Sequence, residues 1–316
     1  MKKLFWILIA LIGLALIIYF LKNRTTCTQI ESKQLNLEGE AQTLIGYSEI
    51  KNDLLYTGIS FKEDSTYFNL FGKDTGLISD EFYFGNYLSD SALLVFDQEQ
   101  YPFLYNPTKD QFVSLRSSIS FKDLEVTDIK IEKLGTQHGI FLNKGDSLIF
   151  WDLEKDETRT LFSLKELPEE NESIKSFDLS GNKILLSVRQ ACSEECDYAI
   201  FLVNTEDNSV KRISTLEGVQ QSAKYTPMVN FLDGNNYVTS YFADQNHLLE
   251  KSIDGNTSHE WCLGNSLEIL SIEAVQGKVY LTILDEKIRK SVASKNGLKN
   301  LYSGMSIVTV DLMNKD

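Results

Sequence analysis

Six times along this chain, short runs rich in Ile, Leu, Val, Tyr and Phe alternate with tight turns. The last turn of each unit falls at Lys73, Thr108, Glu154, Glu206, Gly255 and Met313. Successive units are therefore 35 to 58 residues apart, too long for one hairpin and long enough for four short strands. SFDLSGNKILLSV (Ser176 to Val188) followed by YAIFLVNTEDNSVKRI (Tyr198 to Ile213) reads as strand, turn, strand, loop, strand, turn, strand. The same order recurs at MVNFLDGNNYVTSYF with HLLEKSIDGNTSHEW, at DSLIFWDLEKDETRTLF and at YPFLYNPTKDQFVSL. Turn clusters such as Ser180-Gly181-Asn182 and Asp233-Gly234-Asn235-Asn236 separate the runs. No amphipathic helix of three turns is visible, and the four prolines seldom interrupt a strand. An all-β chain built from repeated four-stranded units predicts a β-propeller.

The unit from Phe177 to Ile213 resembles the WD-like repeat of TolB-type propellers. In that repeat a Gly turn joins two strands, and an aliphatic strand ending in Asp or Asn precedes a further turn. The resemblance is one of repeat grammar and covers most of the chain after residue 40. It implies a six-bladed ring that serves in binding or scaffolding.

The sixth unit supplies only three strands, at Ile269 to Ala274, Lys278 to Leu284 and Ser306 to Leu312. An open blade edge exposes unpaired N–H and C=O groups, so a further strand must cover it. Lys33 to Glu38 (KQLNLE), just before the first blade, is the expected donor. The expected organisation is a membrane anchor or uncleaved signal over residues 1–24, a linker and ring-closing strand over 25–40, and a six-bladed β-propeller over 41–316. A five- or seven-bladed ring is the alternative count.

Leu4 to Leu21 holds eighteen residues without a charge, flanked by Lys2 and Lys3 and by Lys22 and Arg24. As a helix it covers roughly 27 Å, close to the thickness of a bilayer's hydrocarbon. Its Leu, Ile and Phe residues give an insertion free energy of roughly -4 to -8 kcal/mol. The apolar stretch exceeds the usual h-region of a secretory signal, and no A-x-A-like site follows it, so a retained single-pass transmembrane helix (a signal anchor) is expected over a cleaved peptide. The residues before Cys27 do not form a lipobox. Similar basic flanks orient the helix weakly, and an extracytoplasmic propeller is the expected placement.

Outside residues 1–24 the chain carries 27 basic and 45 acidic residues. Such a surface repels phosphate backbones, and no strongly basic patch is present, which excludes nucleic acid as a partner class.

Long connections are expected at Ser163 to Ser173, Gln190 to Asp197, Ser214 to Thr226 and Asp285 to Ser303, all on one face of the ring. Two of them flank the fourth blade. Glu166, Glu169, Glu170, Glu172, Glu194, Glu195 and Asp197 fall there, with Glu169, Glu170, Glu172, Glu194, Glu195 and Asp197 as the candidate binding residues for a basic partner or, weakly, Ca²⁺. No EF-hand spacing is present, and a solvated acidic face is the plain alternative. Asp285 to Ser303 is instead basic. Cys192 and Cys196 flank Ser-Glu-Glu; a small disulfide, two free thiols or part of a metal site are the alternatives, although two thiols are too few ligands alone. Cys262 reads as a small buried hydrophobe.

No G-x-S-x-G, H-E-x-x-H or P-loop is present. SIDGNTSHEW resembles an Asp-box, a fold-stabilising turn, with Asn256 out of pattern. Trp151-Asp152 resembles a single WD dipeptide, more simply read as strand packing. The expected function is a membrane-anchored propeller that binds a protein or glycan through its long-loop face. The alternative is a glycan or lactone hydrolase or lyase with carboxylates in the channel.

Overall fold

In a computed structural model of the chain, the residues described are 28–29, 32–48, 52–62, 65–80, 82–87, 93–97, 102–106, 109, 111–114, 128–134, 137–152, 155, 157–167, 170–191, 197–216, 227–242, 246–254, 256–264, 267–275, 278–285, 287–288 and 302–312. The apolar segment 4–21 lies outside them. Among the described residues no helix is long and apolar enough to cross a membrane.

Two short strands come first, β1 (Thr28–Gln29) and β2 (Lys33–Gln34). The first sheet follows with β3 (Ala41–Ser48), β4 (Asp53–Lys62), β5 (Ser65–Gly72) and β6 (Gly76–Ser79). β7 (Phe82–Tyr87), β8 (Leu93–Asp97), β9 (Pro102–Asn106) and β10 (Gln111–Ser114) form the second. The third contains β11 (Asp128–Leu134), β12 (Gln137–Asn143), β13 (Ser147–Asp152) and β14 (Glu157–Ser163). In the fourth are β15 (Asn171–Ser180), β16 (Lys183–Gln190), β17 (Tyr198–Asn204) and β18 (Ser209–Leu216). The fifth has β19 (Val229–Phe231), β20 (Asn236–Phe242), β21 (Asn246–Ser252) and β22 (Thr257–Gly264). β23 (Leu267–Val275), β24 (Lys278–Asp285) and β25 (Met305–Asp311) belong to the sixth.

Within each sheet the consecutive strands pair as antiparallel neighbours. The first strands, β3, β7, β11, β15, β19 and β23, touch in that order, and β23 touches β3 again. The fold is a β-propeller. β2 completes the sixth sheet beside β25, with Lys33 opposite Thr309 and Gln34 opposite Val308. Leu35 N–H donates to Ile307 O (3.0 Å), and Glu38 N–H donates to the Tyr56 hydroxyl (2.9 Å). Leu35 and Leu37 pack against Leu54, Tyr56 and Ile307, so the strand continues into a hydrophobic seam between the sixth and first sheets.

Sheet faces explain the apolar runs. In a strand successive side chains point to opposite faces, and in a propeller both faces of a blade meet a neighbour. Along Lys183-Ile184-Leu185-Leu186, the side chains of Ile184 and Leu186 join the core between the third and fourth sheets, whereas Leu185 joins the one between the fourth and fifth. A second set of contacts ties adjacent sheets together. Asp178 accepts from Phe231 N–H (2.6 Å) and Ser176 Oγ from Val229 N–H (3.3 Å), linking the fourth sheet to the fifth. Asn230 accepts from Ala274 N–H (3.0 Å), and Thr282 Oγ1 from Leu44 N–H (2.9 Å), carrying the same device through the sixth sheet to the first.

Turn chemistry sets the hairpins. Asp233 Oδ1 accepts from Asn235 and Asn236 N–H (2.7 and 2.8 Å), and Asp207 accepts from Ser209 N–H (2.9 Å) beside Asn208 at φ 54. Hydrogen bonding holds both carboxyls below the usual aspartate range. Between β21 and β22, Ser252 N–H donates to Asn256 O (3.0 Å).

Candidate functional site

The expected acidic rim is described at Glu166, Glu170, Glu172 and Asp197. Glu169, Glu194, Glu195, Cys192 and Cys196 lie outside the described residues. Glu166 has local work: Ser163 N–H donates to its Oε1 (3.0 Å) while Ser163 caps a one-turn 3-10 helix, Leu164–Glu166. The expected long connection from Ser163 to Ser173 is thus shortened at both ends, by this capped turn and by the start of β15 at Asn171.

Glu170 and Asp197 stand on either side of the end of β16. Ala191 N–H donates to Glu170 O (3.2 Å), and Gln190 N–H donates to Asp197 O (3.0 Å). The backbone therefore fixes both at one edge of the fourth sheet. Glu172 is an ion-pair partner of Arg189 (3.1 Å), and Arg212 Nη2 reaches the Gln190 side chain (3.4 Å). The described rim thus mixes carboxylates with two guanidiniums, and an exposed pair such as Glu172–Arg189 is worth about 1 kcal/mol or less.

Among the described residues, clefts open on the opposite, short-turn side. One, of about 240 Å³, lies at the seam of the sixth and first sheets and is lined by Asn52, Lys73, Asp74, Lys278 and Tyr280 among others. Another, of about 310 Å³, runs between β14 and the turns at Asn182 and Thr205 to Asn208. Sequence reasoning placed binding capacity on the long-loop face and did not anticipate these.

Three buried carboxylates, Asp53, Asp178 and Asp152, serve the fold. Asp53, almost fully buried, accepts from Asp74 N–H (2.9 Å), Thr75 N–H (3.0 Å) and Thr75 Oγ1–H (2.8 Å), closing the turn between β5 and β6. Asp178 binds Phe231 N–H as described above, and Asp152 accepts from Lys155 N–H (3.2 Å). Among the described residues no group of three or more His, Cys, Asp or Glu is placed to hold a metal ion.

Two polar clusters escaped the sequence reading. In the fifth sheet, buried His247 lies 2.8 Å from Glu260 through Nδ1, stacks on Tyr241 and approaches Cys262 Sγ at 3.6 Å. Tyr241 donates to the same Glu260 oxygen (2.8 Å). Cys262 is disulfide-bonded and fully buried, which replaces the expectation of a plain buried thiol. Between the fourth and fifth sheets, Lys251 Nζ donates to Ser214 Oγ (2.5 Å), next to buried Tyr237. Burial lowers the Lys251 ammonium below its usual value, opposed by the Glu260 charge, and pushes the Tyr237 phenol up to about 12.

These shifts have opposite signs in alkali. Lys251, lowered on folding, contributes stability that rises with pH up to 10.5. Tyr237, raised from 10.0 to about 12, contributes stability that is present below pH 10 and fades as pH climbs through 12. Tyr237→Phe keeps the ring, so its stability should track the parent up to about pH 9.5. Above that it should gain on the parent, approaching about 3 kcal/mol beyond pH 12. Urea midpoints measured from pH 8 to 11.5 check this; parallel curves would remove Tyr237 as the source.

No known family profile and no curated relative matches the chain. Solved structures with a similar fold exist. The BT4673 extracellular domain of B. thetaiotaomicron is 14% identical, with a TM-score of 0.48, over 89% of this chain and 40% of that one. TolB from Acinetobacter baumannii is 12% identical, with a TM-score of 0.46, over 70% of this chain and 56% of that one. A chain of a Nidogen/Laminin complex is 9% identical, with a TM-score of 0.49, over 86% and 89%.

Proposed function

We propose that this chain is a six-bladed, membrane-anchored propeller on the extracytoplasmic side, held by residues 4–21, which captures a basic protein or glycan on its acidic rim. The observation that carries the reading is the division of labour among carboxylates. Buried Asp53, Asp152 and Asp178 are occupied in turns and blade contacts, while Glu170 lies exposed beside the end of β16. The excess of 45 acidic over 27 basic residues outside the anchor gives this edge a field that attracts cations. Six consecutive sheets in ring order support the blade count.

The test neutralises the rim while leaving the Glu172–Arg189 pair intact: Glu169, Glu170, Glu194 and Glu195→Gln with Asp197→Asn. In-cell crosslinking of the tagged full-length chain should capture about tenfold less partner, and the residual capture should lose most of its salt dependence. An unchanged crosslinking profile would end the rim proposal. A Ca²⁺ titration of the same two proteins, read as melting temperature, asks whether the rim holds a cation; a shift in the parent alone supports it.

A further inference from the structure

β1 breaks the pattern of the ring. Thr28 and Gln29 run parallel to β22 as a fifth strand on the fifth sheet, Thr28 opposite Trp261 and Gln29 opposite Cys262. The other described pairings are antiparallel neighbours within their sheets. A strand of two residues makes too few hydrogen bonds to offset the entropy of ordering it, at about 1–2 kcal/mol per residue. Something else must hold it there. Cys262, directly opposite Gln29, is fully buried and disulfide-bonded, and no cysteine among the described residues is a free thiol.

The sequence has three possible partners, at 27, 192 and 196. Residue 27 immediately precedes β1. Two residues of chain span at most about 7 Å, so the sequence tethers residue 27 close to Gln29 and hence to Cys262 opposite it. Cys192 and Cys196 belong to the connection between β16 and β17, whose ends are already closed by the Arg189–Tyr198 pairing and the bond from Gln190 to Asp197. Those are the second and third strands of the fourth sheet, whereas Cys262 lies on the outer strand of the fifth.

We infer that Cys27 and Cys262 form a disulfide that staples the root of the N-terminal segment to the outer edge of the fifth sheet. Its formation takes two protons and two electrons from the two thiols. By thiol–disulfide exchange the electrons pass to a disulfide-form oxidant, which leaves as a dithiol. Such a bond persists in an oxidising compartment. Resting on the proposed membrane anchoring, the staple also sets a leash: from Leu21 to Cys27 the chain spans at most about 20 Å. The fifth sheet's outer edge is then the part of the ring held nearest the bilayer, and the acidic rim of the fourth sheet is its neighbour rather than a freely swivelling surface.

Trypsin separates the candidates, because Cys27 falls in the peptide 25–33, Cys192 and Cys196 in 190–211, and Cys262 in 252–278. The full-length chain, purified in detergent without reductant and alkylated while denatured, should yield a 25–33/252–278 pair that disappears on reduction. Cys27→Ser should free Cys262 for alkylation, and Cys262→Ser should free Cys27. Alkylated Cys27 in the unreduced parent, or a 190–211/252–278 pair, would overturn the inference. Membrane fractionation of the same cells is the separate arm. A soluble chain that still carries the pair defeats the anchoring and leash but supports the disulfide; a membrane-bound chain with alkylated Cys27 defeats the disulfide alone.

Discussion

A chain ending at Gly304 is expected to show no cooperative unfolding transition. The missing β25 pairs with β24 along its whole length, from Lys278 opposite Asp311 to Leu284 opposite Met305, and with β2 on its other edge. Removing it bares both. Ile307, Val308 and Val310 are buried on this strand and Leu312 follows it, serving the seams on both faces of the sixth sheet. At about 1.5–3 kcal/mol for each buried aliphatic side chain, their loss comes to roughly 6–12 kcal/mol. That is comparable with the whole stability of an ordinary domain, about 5–15 kcal/mol. Near-UV circular dichroism during a urea titration gives the readout. A peptide of residues 305–316 added in trans should restore part of the transition, since the groove between β2 and β24 is its native place. A truncated chain that melts cooperatively within a few degrees of the parent would show that the ring does not depend on this closure.

Strands and turns were legible wherever their cause is local. Runs such as Lys183 to Val188 are apolar on both faces because each face meets a different sheet, and the turns at Gly181 and Asp233 carry residues that adopt or bond the required backbone. The segment near Lys33 was placed by asking which strand could cover an open edge, a question of hydrogen-bond satisfaction rather than periodicity. The capped turn after Ser163 has a local cause, the Ser-x-x-Glu spacing, inside a stretch whose acidic residues fit a long solvated loop equally well. β1 was not readable: Thr28 and Gln29 are too few for any period to register. Nor does a sequence reveal that Lys251 meets Ser214, or His247 meets Glu260, because those distances exist only once sheets are stacked or strands paired. The disulfide at Cys262 was missed for the same reason. Burial of a cysteine follows from its strand, but its partner follows from topology.

Packing between the third and fourth sheets supplies the second large effect. Phe177 is fully buried in a core with Phe141, Phe150 and Phe162 on one side and Ile184, Leu186 and Val188 on its own sheet. Phe177→Ala removes most of a ring from a site walled by two sheets, and the walls are held apart by the neighbouring blades, so they cannot close over the void. The expected cost is about 3–5 kcal/mol, visible as a lowered urea midpoint with little change in slope. Phe177→Leu, which keeps more of the volume, should cost markedly less. Asp178 next along β15 points the other way, to Phe231 of the fifth sheet. If the faces of β15 act on different seams, Asp178→Ala should weaken the fourth-to-fifth contact independently, and the double variant should lose nearly the sum of the two single losses. A cost below about 1 kcal/mol for Phe177→Ala would mean that the third and fourth sheets are not pressed together as described.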